Sequence, residues 1–229
     1  MEITGAIFDM DGTLVDSLMG WDILWKKFGV QYKNDASFRP DDRTEKAIRT
    51  LPLKDAMLLV HETCEIGDSG EALLENANRV MAQFYREDVE LKSGVKEFLE
   101  HCLTCGIKMC VASATAPELL EIVMEKFDMD RYFPKIFSCS EIGKGKEEPD
   151  IFVMAHEYLG TPKESTWIFE DSITALETAI KAGYHTVGIY DKYNFNPDKV
   201  AKVVAEYIGE GDSFASLIPK IKSVPDAEK

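Results

Sequence analysis

Residues 107–127 read IKMCVASATAPELLEIVMEKF. The run IKMCVASA (107–114) has the length and apolar density of a buried strand. APELLEIVMEKF (116–127) has the 3.6-residue apolar spacing of a helix, with proline near its first turn, where a missing N–H does no harm. The same alternation extends toward the C-terminus. KIFSC (135–139) reads as a strand and PDIFVMAHEYLG (149–160) as a helix. STWIFED (165–171) is again a strand, ITALETAIKAG (173–183) a helix ending at Gly183, and HTVGIY (185–190) a strand. PDKVAKVVAEYIG (197–209) and FASLIPKIKS (214–223) read as late helices, and VPDAEK (224–229) as a flexible tail. Toward the N-terminus, SGVKEFLEHCLTCG (93–106) is helical and ITGAIFD (3–9) is one more strand. Strands separated by helices make a parallel sheet covered on both faces, a Rossmann-like α/β fold.

Residues 17–88 break the alternation. LMGWDILWKKFG (18–29), DDRTEKAIRTL (41–51), LKDAMLLVHETC (53–64) and SGEALLENANRVMAQFYREDV (69–89) are four helical patterns in a row with no strand between them. The expectation is an all-helical insertion over 17–88 in a core formed by 1–16 and 89–223. The chain has 229 residues, 45% of them hydrophobic, which suffices for that core and a smaller companion. Its net charge of -15 disfavours nucleic-acid backbones and anionic lipid surfaces as partners. No apolar run approaches bilayer length, and the first residues enter a strand pattern without the basic and apolar regions of a signal peptide. Five cysteines, an odd number, fit reduced thiols and a cytoplasmic location. The single C-x-x-C, Cys102 and Cys105, shares helical spacing with Val95, Phe98 and Leu99. That predicts both cysteines facing a core rather than binding metal.

In parallel sheets ligands bind beyond the carboxyl ends of the strands, so the polar residues at strand exits matter most. The first strand exits at Asp9 and Asp11 within AIFDMDGTLVDS (6–17), two acids that repel each other unless a cation relieves them. KMCVAS exits at Ser113, with Thr115 two residues on. TWIFED exits at Glu170 and Asp171, and Lys144 and Lys146 lie in IGKGKEEPD (142–150). An oxygen-only carboxylate cluster is a hard site suited to Mg²⁺, and a hydroxyl and a lysine beside it suit phosphoryl oxygens.

DMDGTLVDS, VASAT, GKGKEEPDIF and FEDSITALETAIKAG together resemble the four ordered motifs of the haloacid dehalogenase superfamily. They are closest to its phosphoglycolate phosphatase and β-phosphoglucomutase-like branch, which carries a helical cap after the first motif. The resemblance implies a Mg²⁺-dependent phosphatase of a small phosphorylated metabolite. Asp9 would be the nucleophile that becomes an aspartyl-phosphate, and Asp11 the acid and then the base. The metal would be held by Asp9, Asp11 through its main-chain carbonyl, and Asp171, with Glu170 a ligand or the neighbour of one. Ser113 and the amides near it, Ala114 included, would bind phosphate, and Lys146 would neutralise charge on Asp9 and the transferring group. Glu147 replaces a proline common in the third motif; aligning Gly145, Pro149 and Asp150 selects Lys146 over Lys144. The alternative is a sugar phosphomutase using the same intermediate; less expected is a non-catalytic phosphate-binding protein. Mutases of this kind usually carry a histidine on the first cap helix, where this chain has Trp21. Trp21, Trp25, Arg39, Arg43, Arg49 and Lys54 are candidates to shape the cleft, although the two tryptophans, spaced i, i+4, also suit the cap's own core.

Overall fold

The computed structural model describes residues 1–48, 51–194 and 196–222; the tail at 224–229 lies outside them. Among the described residues one six-stranded sheet forms the centre, every strand parallel to its neighbours. β1 (Gly5–Phe8) lies between β2 (Lys108–Ser113) and β4 (Thr166–Glu170). β3 (Ile136–Ser138) flanks β2, while β5 (His185–Ile189) and β6 (Glu206–Ile208) extend the sheet beyond β4, giving the order β3-β2-β1-β4-β5-β6.

Both faces of the sheet are buried, and the two-residue period of a strand divides its side chains between them. Ala6, Phe8, Val111 and Phe169 point into one apolar cluster with α5 (Val95–Thr104) and α6 (Pro117–Phe127). Ile7, Ala112 and Ile168 point into the other, with α8 (Asp150–Leu159) and α9 (Ile173–Lys181). A one-turn helix, α7 (Cys139–Ile142), joins β3 to the loop before α8. Phe8 stacks on Phe169 across the central pair, ring centroids 4.4 Å apart. Each such fully buried ring contributes about 1.5–3 kcal/mol of transfer free energy, so β1 and β4 are held in register where the sheet is most deeply buried.

Between β1 and α5 stand α1 (Gly20–Phe28), α2 (Asp42–Ile48), α3 (Leu53–Cys64) and α4 (Gly70–Glu87). They enclose a cluster of their own around Leu24, Trp25, Phe28, Met57, Val60 and Leu73. α1 continues as one π-helical turn, Gly29–Lys33, stopped by Asn34 in the left-handed region at φ +53°. α4 starts at a serine cap, the Ser69 Oγ accepting from the Ala72 N–H at 3.1 Å. The last turns of α4 leave the helical cluster: Met81, Phe84 and Tyr85 pack into the sheet's own core. Lys126 of α6 secures them, its Nζ donating to the carbonyls of Tyr85 (3.2 Å) and Val89 (2.7 Å). Among the described residues no helix is long and apolar enough to cross a membrane.

Three expectations are corrected. The helix expected over 197–209 ends early: α10 (Pro197–Val203) gives way to β6, whose backbone pairs with β5 from Glu206 to Ile208. FASLIPKIKS is not α-helical; Phe214–Lys220 is a 3₁₀ helix, in keeping with Pro219, which has no N–H for an α-helical ladder. Cys105 does not face the core. α5 stops at Thr104 and Cys105 is exposed, its Sγ 3.5 Å from His101 Nε2, while Cys102 is buried as expected.

Candidate active site

The chain runs from β1 outward to β2 and β3, then returns to place β4 on the other side of β1. The connections leaving β1 and β4 therefore diverge, opening a crevice at their carboxyl ends. Asp9 follows β1 directly, its N–H donating to the Phe169 carbonyl at 2.9 Å, and Glu170 and Asp171 leave the adjacent strand β4. All three carboxylates are buried, and one oxygen from each lies within 4.8 Å of the other two. Lys146 reaches in from the loop before α8, its Nζ 2.5 Å from Asp9 Oδ1 and 2.6 Å from Glu170 Oε2. Lys144 does not join them; it pairs at the surface with Asp150 at 2.6 Å.

Gly12 permits this arrangement. Its φ of +77° suits glycine, and a Cβ there would stand 2.6 Å from Asp171 Oδ2. Asp171 is held from two directions: Thr13 Oγ1 donates to Oδ1 at 3.2 Å, and Asn194 Nδ2 donates to Oδ2 at 3.0 Å and to the main-chain carbonyl at 2.7 Å. Glu170 Oε1 accepts the Ser172 N–H at 3.0 Å, leaving Oε2 to Lys146.

The charges do not balance. Burial, then Glu170, raise the Asp9 carboxyl to about 8, against the pull of Lys146. Burial, then Glu170 and Asp9, push Asp171 well above the usual carboxylate range. Burial alone would lower Lys146, but Asp9 and Glu170 outweigh it and raise the ammonium. One cation among three acids leaves room for a second positive charge, and the donor set is all oxygen. Asp9, Asp171 and Glu170 thus fit a hard divalent ion such as Mg²⁺.

Asp11 lies outside that trio. Tyr85 Oη donates to its Oδ1 at 2.6 Å, and Thr115 Oγ1 to its Oδ2 at 2.6 Å. Ser113 ends β2, buried, its Oγ accepting the Thr115 N–H at 3.2 Å; Ala114 is exposed on the same turn. Of the cap candidates, Trp25 is fully buried in the helical cluster, its ring 5.5 Å from that of Trp21. Arg39 pairs with Asp22 at the surface at 2.7 Å, Arg43 and Lys54 are exposed, and Arg49 lies outside the described residues. Sequence reasoning gave no role to Tyr85, Thr13 or Asn194. Thr115 was singled out at a strand exit without a role, Thr13 stands inside the first quoted motif and could have been flagged with it, and Tyr85 and Asn194 carry no local signal.

A parallel sheet with three buried carboxylates and a lysine at its switch point makes this a doubly wound α/β protein with an acidic crevice at the strand ends. Residues 6–189 match the family model described as haloacid dehalogenase-like hydrolase, and the chain belongs to that family. It is 26% identical over 186 residues to a phosphorylated carbohydrates phosphatase of Thermotoga maritima, covering 80% of this chain and 82% of that one. It is 28% identical over 178 residues to hexitol phosphatase B of Escherichia coli, covering 76% and 78%. Its fold is similar to that of CbbY from Rhodobacter sphaeroides solved with phosphate, at a TM-score of 0.75 and 21% identity over 94% and 96% of the two chains.

Proposed function

We propose that this hydrolase is a Mg²⁺-dependent phosphatase of a small phosphorylated metabolite, working through an aspartyl-phosphate on Asp9. The observation that carries this reading is the buried cluster of Asp9, Glu170 and Asp171 with Lys146 at the β1–β4 switch point. In the first step an Asp9 oxygen bonds to phosphorus as the bond to the leaving oxygen breaks, and Asp11 gives that oxygen its proton. In the second, water bonds to phosphorus, the Asp9–phosphorus bond breaks, and the proton released by water returns to Asp11. Lys146 holds the Asp9 carboxylate and offsets charge on the transferring group, and Ser113 with the Ala114 amide accommodates phosphoryl oxygens. Asp9, Asp171, the Asp11 carbonyl and Glu170 or its neighbourhood would hold Mg²⁺, which screens the repulsion between an anionic carboxylate and an anionic phosphate. Residues 17–88 act as the cap over this rim.

Transfer to water rather than to a second sugar hydroxyl is favoured by the placement of the histidines. His61 contacts the Ile66 carbonyl, His101 the Cys105 thiol, His156 the Thr161 carbonyl and Tyr184, and His185 stacks on Trp167. A panel of sugar and polyol phosphates, assayed with Mg²⁺ for both free phosphate and isomerised product, tests the reading. Free phosphate is the expected product, and Asp9→Asn is expected to lower its release by at least about 10³-fold. Isomerised product without free phosphate would replace the phosphatase by a mutase; unchanged turnover in Asp9→Asn would remove the mechanism.

A further inference from the structure

We propose that Tyr85, on the last cap helix, is a positioning residue for Asp11. This rests on the acid–base reading of Asp11 given above. An aspartate carboxylate turns freely about its last torsion unless something stops it. Here both oxygens are stopped: Tyr85 Oη donates to one at 2.6 Å and Thr115 Oγ1 to the other at 2.6 Å. A carboxylate oxygen has two acceptor positions. Each oxygen can therefore keep its hydroxyl partner and still face a leaving group or a water, with its orientation fixed.

The anchor behind Tyr85 is rigid. The residue is 3% exposed, its ring contacts Phe84, and it belongs to the sheet's apolar cluster rather than the cap's. Its main-chain carbonyl is bound by Lys126, which ties the last turn of α4 to α6. Tyr85 and Thr115 arrive from different elements, one at the end of the cap helix and one just past β2. The cradle they form is complete only when that end of α4 is docked on the core. Loss of the Tyr85 hydroxyl leaves the ring packing in place but frees one Asp11 oxygen to rotate.

A displaced acid matters most when the leaving oxygen needs a proton, which gives a readout that altered packing alone does not produce. The test compares Tyr85→Phe with the wild type on phenyl phosphate, whose leaving group needs the proton, and on 2,4-dinitrophenyl phosphate, whose leaving group does not. Tyr85→Phe is expected to lose about 10- to 100-fold more kcat/KM on phenyl phosphate than on the dinitrophenyl ester. It is also expected to release a burst of dinitrophenolate equal to the enzyme, because Asp11 is then a poor base for the second step. Thr115→Val, which removes the opposite donor, is expected to show the same selective loss. Equal losses on the two esters in both variants, or no loss, overturn the positioning role. Asp11→Asn is the control: a selective loss there without one in Tyr85→Phe removes Tyr85 alone. Equal losses in Asp11→Asn remove the acid role of Asp11 and the inference with it.

Discussion

Asp9 occupies a place where a carboxylate is hard to ionise. Burial first, and then the charge of Glu170, raise it from 3.8 to about 8, with Lys146 pulling the other way. An acid raised in the folded chain keeps a proton that the unfolded chain has released. Its contribution to stability is therefore complete below pH 3.8 and is lost as pH rises through about 8. With a chelator present, the melting temperature of the wild type should fall relative to that of Asp9→Asn between pH 5 and 8.5, and Mg²⁺ should oppose the fall. Parallel melting curves for the two proteins across that interval would contradict the assignment. At this scale, Asp9, Asp11, Asp171 and Lys146 were legible because each follows a recognisable strand or stands in an ordered motif. Tyr85 was not. It lies 74 residues from Asp11, inside an amphipathic helix where its spacing says only that it is apolar and inward.

The two segments that join the helical insertion to the sheet run side by side. The Asp16 N–H donates to the Glu90 carbonyl at 2.9 Å and the Lys92 N–H to the Leu14 carbonyl at 3.0 Å, with Val15 bridged to Leu91. Lys92 fastens them to the loop after β5: its Nζ donates to Asp16 Oδ1 at 2.8 Å, Asp191 Oδ2 at 2.9 Å and the Tyr190 carbonyl at 3.2 Å. The Asp191 side chain is 3% exposed, so Lys92→Met would strand a buried charge. The expected cost is about 3 kcal/mol, read from urea unfolding. A loss below about 1 kcal/mol would mean that water reaches Asp191 and the strap is weak. The long periodic elements around these linkers were legible, because α5, α6, α8 and α9 each present one apolar stripe to the sheet. β6 was not: three residues paired with an edge carry too little pattern to stop a helix reading of VAKVVAEYI. Cys105 was misplaced for a related reason, since helical spacing was extended one residue beyond the last turn of α5.

The molecule as a whole is organised by the strand order. With β1 and β4 side by side, residues more than 130 positions apart in the chain meet: Lys146 reaches Asp9, and Thr13 reaches Asp171. Strand–helix alternation gave away the parallel sheet, but not which strands are neighbours, and it is the neighbours that bring Asp9 against Glu170 and Asp171. The insertion has an apolar cluster of its own around Trp25, yet α4 ends inside the sheet's core, where Tyr85 meets Asp11. On this account the first motif delivers a nucleophile, the fourth delivers its metal ligands, and the last turn of the cap helix aims the acid.

The most direct check is to mix the protein with Mg²⁺ and 2,4-dinitrophenyl phosphate, quench in acid within milliseconds, digest, and locate any added phosphoryl mass. The account predicts the increment on the peptide carrying Asp9, labile to hydroxylamine as an acyl phosphate is, and absent in Asp9→Asn. Phosphate released by an active enzyme with no label ever on that peptide, or with the label on another side chain, would contradict it.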